Sequence, residues 1–388
     1  MSMIKVYQPK YYNGFSCTGN ACKNNCCHHW TINIDEQTYS KFMSLDDDIK
    51  NEINEKLAFT ENEKKEVYIK LDEQKRCTFL NESGLCTLQL RLGHDYLSYT
   101  CRTYPRMFCA VGGSPECFLE LSCEEAAKLI LFNNDYMNFE EHMIDSDSFE
   151  AAKHGYSHAL DVKKYTDSDD GIDIFWKLRV ASVAILQSRQ FRIRFRMLIL
   201  CLFIQEVAEL LAAKRDSDVI ALADEYMERL DNNHYNELYA ELPYGAERET
   251  DVLIDILKDM CIKSELFMPV VERSAAGLDI KTDSWSIPDG FDDKYNRYYE
   301  MYFADKEYIF ENYLVHRVLS EGFPFNNTPD ADIMGNYVDL LAKYNIVEFL
   351  LTGVCRSRMK FDKRQIVDCI TLFTRGYDHS AKKFLQTQ

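Results

Sequence analysis

Residues 15–35 read FSCTGNACKNNCCHHWTINID, placing Cys17, Cys22, Cys26 and Cys27 within eleven positions, with His28, His29 and Trp30 directly behind. Metal binding needs several soft ligands that converge in space. Cys22 and Cys26 are four apart, so a helical turn here would carry both thiols on one face, with Cys27 about 100° away. Cys17 would approach from the preceding loop, where Gly14 and Gly19 relax the backbone. The segment supplies two or three ligands to one centre, and further ligands must come from later in the chain.

Those ligands follow in order. Cys77 and Cys86 flank a turn through Asn81-Glu82-Ser83-Gly84 in CTFLNESGLCTLQ, which reads as a hairpin. Cys101 lies in SYTCRTYPR, and Cys123 stands at a helix start in LSCEEAAKLIL, where Ser122 is the expected N-cap. Ten of the fourteen cysteines fall between Cys17 and Cys123, too many for packing alone. Cys201, Cys261, Cys355 and Cys369 sit singly in apolar helical patterns and read as core residues. The spacing C-x4-C-x3-C-C fits neither paired zinc knuckles nor a C-x2-C-x2-C ferredoxin run. The triplet C-x3-C-x2-C fails too, since its third position is His29. His28 and His29 are further ligand candidates, or else exposed side chains beside a strand WTINID.

Composition bounds the rest. The chain has 388 residues, 46% hydrophobic and 28% charged, and a net charge of −18. That acidity argues against nucleic acid, which is bound through Lys and Arg patches. The N-terminus has no apolar signal region, and the longest apolar run, MLILCLFI at 197–204, is far shorter than the ~20 residues of a membrane span. A cytoplasmic protein with reduced thiols is expected, and no membrane contact.

The expected fold class is mainly α. A cysteine-rich α+β metal- or cluster-binding module with short strands occupies 1–130, and a mostly helical region follows over 131–388, taken to contact substrate and cofactor. Apolar periodicity predicts helices near 172–188, 191–213, 217–231, 249–267, 291–320, 331–351 and 362–384.

Polar residues near the cysteines are the next candidates. Arg102 and Arg106 can grip a carboxylate and are the candidate cofactor-binding residues, while the Tyr104 hydroxyl can orient an amine. Far downstream, Glu311, Asn312 and Tyr313 lie on an expected helix; Arg375 and His379 are four apart on another, with His379 a candidate base. Tyr104, Arg375 and His379 are the candidate catalytic residues, if the C-terminal segment folds back on the cysteine module. No G-x-G-x-x-G loop occurs, and the double glycine of AVGGSPE (110–116) reads as a turn.

The ordered motifs Cys-x4-Cys-x3-Cys-Cys-x2-Trp, CTFLNESGLCTLQLRLG, LSYTCRTYPR and LSCEEAAKLIL, with ENYLVHRVLSEGFPF and FTRGYDHS near the C-terminal end, resemble the flagellin lysine-N-methylase family. They also resemble the broader cysteine-rich group of zinc- or iron-chelating domains. The resemblance implies methyl transfer from S-adenosylmethionine to lysines of flagellin, and an iron–sulfur cluster of the 4Fe–4S type, with zinc as the alternative. Carried over residue by residue, the family's cysteine pattern falls on Cys17, Cys22, Cys26, Cys27, Cys77, Cys86, Cys101 and Cys123. Glu124 departs from it, standing where the family tends to have proline. A non-catalytic zinc- or iron-chelating binding protein is the competing expectation.

Overall fold

The computed structural model describes residues 3–60, 66–146, 149, 151, 155–166, 168–242, 250–263, 267–326 and 332–378. It is mainly helical, with two small sheets toward the N-terminus.

The first sheet is built around a hairpin. Strands β5 (Arg106–Val111) and β6 (Ser114–Leu119) are joined by Gly112 and Gly113, both at positive φ, +55° and +82°. Two successive residues of that kind make the tight turn whose twist matches paired strands, so AVGGSPE is a turn as its glycines indicate. β1 (Met3–Pro9) lies parallel to β6, β7 (Phe139–Asp145) antiparallel to β1, and β8 (His158–Leu160) parallel to β5, giving the order β7-β1-β6-β5-β8. The second sheet, β2-β4-β3, is small and antiparallel: Asn33–Ile34, Val67–Ile69 and Leu57–Phe59. Helices α1 (Glu36–Met43) and α2 (Asp47–Glu55) cover it, α1 being capped by Asp35, whose carboxylate accepts from the Thr38 N–H at 2.9 Å.

Three separate cores result, one of them a small cluster of Val6, Phe108, Cys117, Phe149 and Ala151 on the first sheet. A second gathers Ile32, Ile34, Phe42, Leu57, Cys77, Phe79 and Leu97, with Cys27, Cys86 and Cys101 packed against it. The largest runs from the first sheet through α5 (Glu124–Leu131) into the C-terminal helices. Cys261, Cys355 and Cys369 are buried there and Cys201 partly so, as small apolar side chains.

Long helices follow: α6 (Gly171–Leu186), α7 (Ile193–Ala212) and α8 (Asp216–Asp231), then α9 (Asn236–Glu241) and α10 (Thr250–Lys263). α11 (Met268–Gly277) is a helix in its own right, opened by Pro269 in its first turn, whereas periodicity alone ended a helix near 267. The stretch read as one helix over 291–320 is two, α12 (Phe291–Phe303) and α13 (Tyr308–Ser320). The break at 304–307 lets both present aromatic faces to each other, with Phe303 and Phe310 rings 5.0 Å apart. α14 (Ile333–Arg358) runs past its expected end near 351, because Gly353 is used for close packing: a Cβ there would sit 2.3 Å from the Ser274 carbonyl oxygen of α11. α15 is Lys363–Asp378, and the remainder of the helix expected to 384 lies outside the described residues.

Buried ion pairs fasten these layers. Arg179 on α6 donates to both carboxylate oxygens of Glu116 on β6, at 2.6 and 2.8 Å, with both side chains 1% exposed. Glu311 on α13 holds Arg189 and Arg196, and Asn312 donates to the carbonyls of Leu131 and Asn133, satisfying the C-terminal end of α5. No helix among the described residues is long and apolar enough to cross a membrane.

Candidate functional site

All eight carried-over cysteines line one cavity of about 440 Å³, within the size range of small-molecule sites. Its walls come from five separate segments. The loop through Cys17, Cys22, Cys26 and Cys27 forms one side. Cys77 and Cys86 come from the turn after β4, Cys101 from the short helix α4 (Tyr99–Thr103 in chain order, before β5), and Cys123 from the residue capping α5. Arg375 of α15 completes it from the far end of the chain.

Local geometry differs from the sequence expectation in three places. The Cys22–Cys26 segment is not a helical turn. Gly19–Ala21 is a single 3-10 turn, and Cys22 leaves it extended at φ −72°, ψ 123°, so the thiols are spread along a loop. The Cys77–Cys86 hairpin keeps its turn, with Gly84 N–H donating to Asn81 O at 3.0 Å, but its arms make only isolated bridges, and Thr87–Leu92 is helix α3 (preceding α4). Ser122 does not cap α5. Cys123 holds that position, and the Ser122 hydroxyl sits 3.1 Å from the Tyr104 hydroxyl instead.

The loop is held by groups that face it from the helices. Glu124 accepts from the backbone N–H of Asn24 at 2.6 Å and of Lys23 at 3.3 Å. Asp368 on α15 accepts from the Lys23 ammonium at 3.3 Å and the Asn24 amide at 3.4 Å. Arg375 donates to the Ser122 carbonyl at 3.0 Å and to the Asn24 carbonyl. Glu124, the departure from the family pattern, is thus the anchor of the cysteine loop; a proline has no side-chain acceptor for those N–H groups.

Electrostatics follow from burial. Desolvation pushes Cys22 and Cys101 up to about 12 and Cys77 up to about 11, because a buried thiolate loses its hydration. Cys26 moves the other way: the Cys27 thiol hydrogen-bonds to it, and this outweighs burial, with Arg375 adding to the lowering. All fourteen cysteines are free thiols.

Aromatic and cationic side chains complete the wall. Trp30 tilts against Tyr104 with ring centroids 5.3 Å apart, and its indole N–H donates to the Cys26 carbonyl. Burial raises the Tyr104 pKa, so its hydroxyl stays protonated. Arg106 lies over the Phe15 ring at 5.2 Å, and Arg102 lines the same space. Tyr104, Arg102, Arg106 and Arg375 therefore line the same cavity. His379 lies outside the described residues. Glu311 and Asn312 are not in the cavity; their ion pairs and carbonyl contacts tie helices together. His28 and His29 do not line it either, and His28 bridges Arg76. His94, Asn24 and Glu125 do, and sequence reasoning missed them, since nothing in their local pattern marks them.

The donor set suits a thiolate-bound metal group, since soft, unpaired thiols surround a space of sufficient size. Among the described residues no three Cys, His, Asp or Glu side chains gather closely enough to hold a single ion. The thiols surround a volume, not a point.

The family model for the FliB lysine N-methylase C-terminal domain matches residues 179–387, more than half of the chain. The chain belongs to the FliB lysine N-methylase family. The matched segment contains Arg375 and both C-terminal motifs, and it begins after the ten N-terminal cysteines. Among curated proteins, the lysine-N-methylase of Salmonella typhimurium is 32% identical over 155 residues, covering 39% of this chain and 39% of the relative. The Salmonella choleraesuis lysine-N-methylase gives the same figures. The flagellar biosynthetic protein FliU of Salmonella muenchen is 31% identical over 162 residues, 39% of this chain and 96% of that protein. The chain thus spans 39% of the length of the two lysine-N-methylases it matches. No solved structure matches it.

Proposed function

We propose that the protein is a lysine N-methyltransferase that transfers methyl groups from S-adenosylmethionine to lysines of flagellin, in the cytoplasm, with a thiolate-bound iron–sulfur group in its cavity. The observation that carries this reading is the meeting of Arg375, from the family-matched segment, with all eight cysteines in one cavity. Family membership supports lysine methylation, and the names of the relatives support flagellin as the target.

The reaction is a displacement. A neutral lysine amine attacks the sulfonium methyl, an N–C bond forms as the C–S bond breaks, the neutral thioether leaves, and the methylammonium product loses its extra proton to water. The donor is a cation with a carboxylate at one end. Trp30 and Tyr104 offer ring faces to a sulfonium, and Arg102, Arg106 and Arg375 offer guanidinium groups to the carboxylate. The protonated Tyr104 hydroxyl can accept a hydrogen bond from the lysine amine and hold it in line. Cys17, Cys22, Cys26, Cys27, Cys77, Cys86, Cys101 and Cys123 are the ligands available to an iron–sulfur group, or to zinc. Such a group, when bound, supplies a rigid tie between the five segments of the wall and a charge at its centre.

The test is labelled methyl incorporation into flagellin by anaerobically purified protein, measured with iron and acid-labile sulfide. Transfer that is lost in Cys26→Ser or Cys101→Ser is expected. Cluster-replete protein that transfers no methyl group to flagellin of its own host would overturn the enzyme reading and favour a chelating binding protein.

A further inference from the structure

We infer that the protein methylates its own chain in cis, at Lys382 and Lys383 of the segment HSAKKFLQTQ (379–388) that follows the last turn of α15. This rests on the methyl-transfer reading of the cavity and goes beyond it by naming an acceptor within the protein itself. Both lysines lie outside the described residues, and the helix that leads to them carries the inference.

α15 runs antiparallel along α5 and delivers the chain to the cavity. At its start Lys363 lies over the Phe132 ring at 5.0 Å, just beyond the C-terminal end of α5. Farther along, Asp368 meets Lys23 and Asn24 of the cysteine loop at 3.3 and 3.4 Å. Near its end Arg375 donates to the Ser122 carbonyl, just ahead of α5, and lines the cavity. Seven residues (382 − 375) then separate Arg375 from Lys382, at most about 25 Å of chain at ~3.6 Å each, before the four-carbon stem of the lysine is counted. A cavity of about 440 Å³ beside Arg375 lies within that reach.

The acceptor has to come from outside the cavity walls. Among the described residues no lysine lines the cavity. Two lysines beside its lining residues are engaged: Asp368 holds the Lys23 ammonium at 3.3 Å, and Glu125 holds that of Lys128 at 2.9 Å. The segment 379–388 carries Lys382 and Lys383 and no acidic residue, on a chain whose net charge is −18, so the field of the whole protein attracts it. A short tether also holds its groups at an effective concentration on the order of millimolar, well above that of a free partner in a dilute protein solution. In the step itself the neutral lysine amine attacks the sulfonium methyl of S-adenosylmethionine. An N–C bond forms as the C–S bond breaks, the neutral thioether leaves, and the methylammonium loses its extra proton to water.

The experiment incubates anaerobically prepared full-length protein with methyl-labelled S-adenosylmethionine and reads it by peptide mass spectrometry, with flagellin methylation measured in a parallel sample. Wild type should acquire label in the peptide carrying Lys382 and Lys383, with a half-time unchanged by about tenfold dilution of the protein, as a reaction in cis requires. K382R/K383R should lose that label and keep its transfer to flagellin. A 379–388 segment that stays unlabelled in a preparation that methylates flagellin overturns the inference and leaves the proposed function standing. A half-time that lengthens about tenfold on the same dilution also overturns it, since one molecule is then acting on another. Label on Lys382 or Lys383 without transfer to flagellin supports the inference and removes flagellin as the target. Transfer to neither overturns both.

Discussion

Replacing Glu124 by alanine should release the cysteine loop without unfolding the helices. Glu124 is 8% exposed and accepts from two backbone N–H groups, at 2.6 and 3.3 Å. A hydrogen bond to a charged partner contributes about 1.5–3 kcal/mol. The longer bond lies at the weak end, and water can reach the released loop, so about 2–3 kcal/mol is expected for the pair together. At about 1.4 kcal/mol per decade this is a roughly 30- to 150-fold rise in the open population of the loop. Hydrogen exchange resolved by mass spectrometry should show that rise in peptides covering 15–35, with protection in α13 and α14 unchanged. Glu124→Gln keeps one acceptor oxygen and should fall between. A second readout is chemical. Burial is the largest cause of the high Cys22 pKa, and Glu124 the next. Without that carboxylate the thiolate fraction at a given pH rises, so metal-free E124A should be alkylated faster at Cys22 than metal-free wild type. Unchanged exchange in 15–35 would refute the anchoring role, whatever happened to activity.

Other outcomes follow from the same geometry. His316 is buried, and desolvation lowers its pKa to about 3, while its Nδ1 is hydrogen-bonded with the Tyr11 hydroxyl at 2.7 Å. The unfolded chain therefore takes up a proton near pH 6.5 that the folded chain refuses, so this histidine lowers stability by about 1.4 kcal/mol per pH unit as pH falls from about 6.5 toward 3. His316→Gln should flatten that part of the denaturation-versus-pH curve. Arg179→Met leaves Glu116 charged and unpaired in the core and should cost about 3–5 kcal/mol in chemical denaturation. Gly353→Ala drives a methyl into the α11 backbone and should destabilise by about 1–3 kcal/mol or more, read as a lowered Tm. Tyr104→Phe keeps the ring on Trp30 but removes the hydroxyl, so kcat for methyl transfer should fall by at least about tenfold with iron content unchanged.

The sequence by itself determined the helical class, the ordered cysteines and their meeting with CRTYPR, because these rest on local pattern. Apolar spacing marks helices such as α6 to α8 wherever one face is buried, and paired positive-φ glycines mark the β5–β6 turn. Thiols at that density mark residues that line a common space, and eight of them do line one cavity. Tertiary structure decided what depends on partners distant in the chain. The Cys22–Cys26 segment is a loop because Glu124, Asp368 and Arg375, a hundred to more than three hundred residues away, hold its backbone in place of helical hydrogen bonds. Gly353 lies within a helix, not at its end, because α11 presses its backbone against that position. Glu311 and Asn312, polar and prominent in a C-terminal motif, turned out to fasten α13 to its neighbours, since a buried charge or amide needs a partner and only the packed chain shows which one it has. His94 and Glu125 reach the cavity for the same reason: what a polar side chain faces is set by the elements packed opposite, and that is written nowhere in its own neighbourhood.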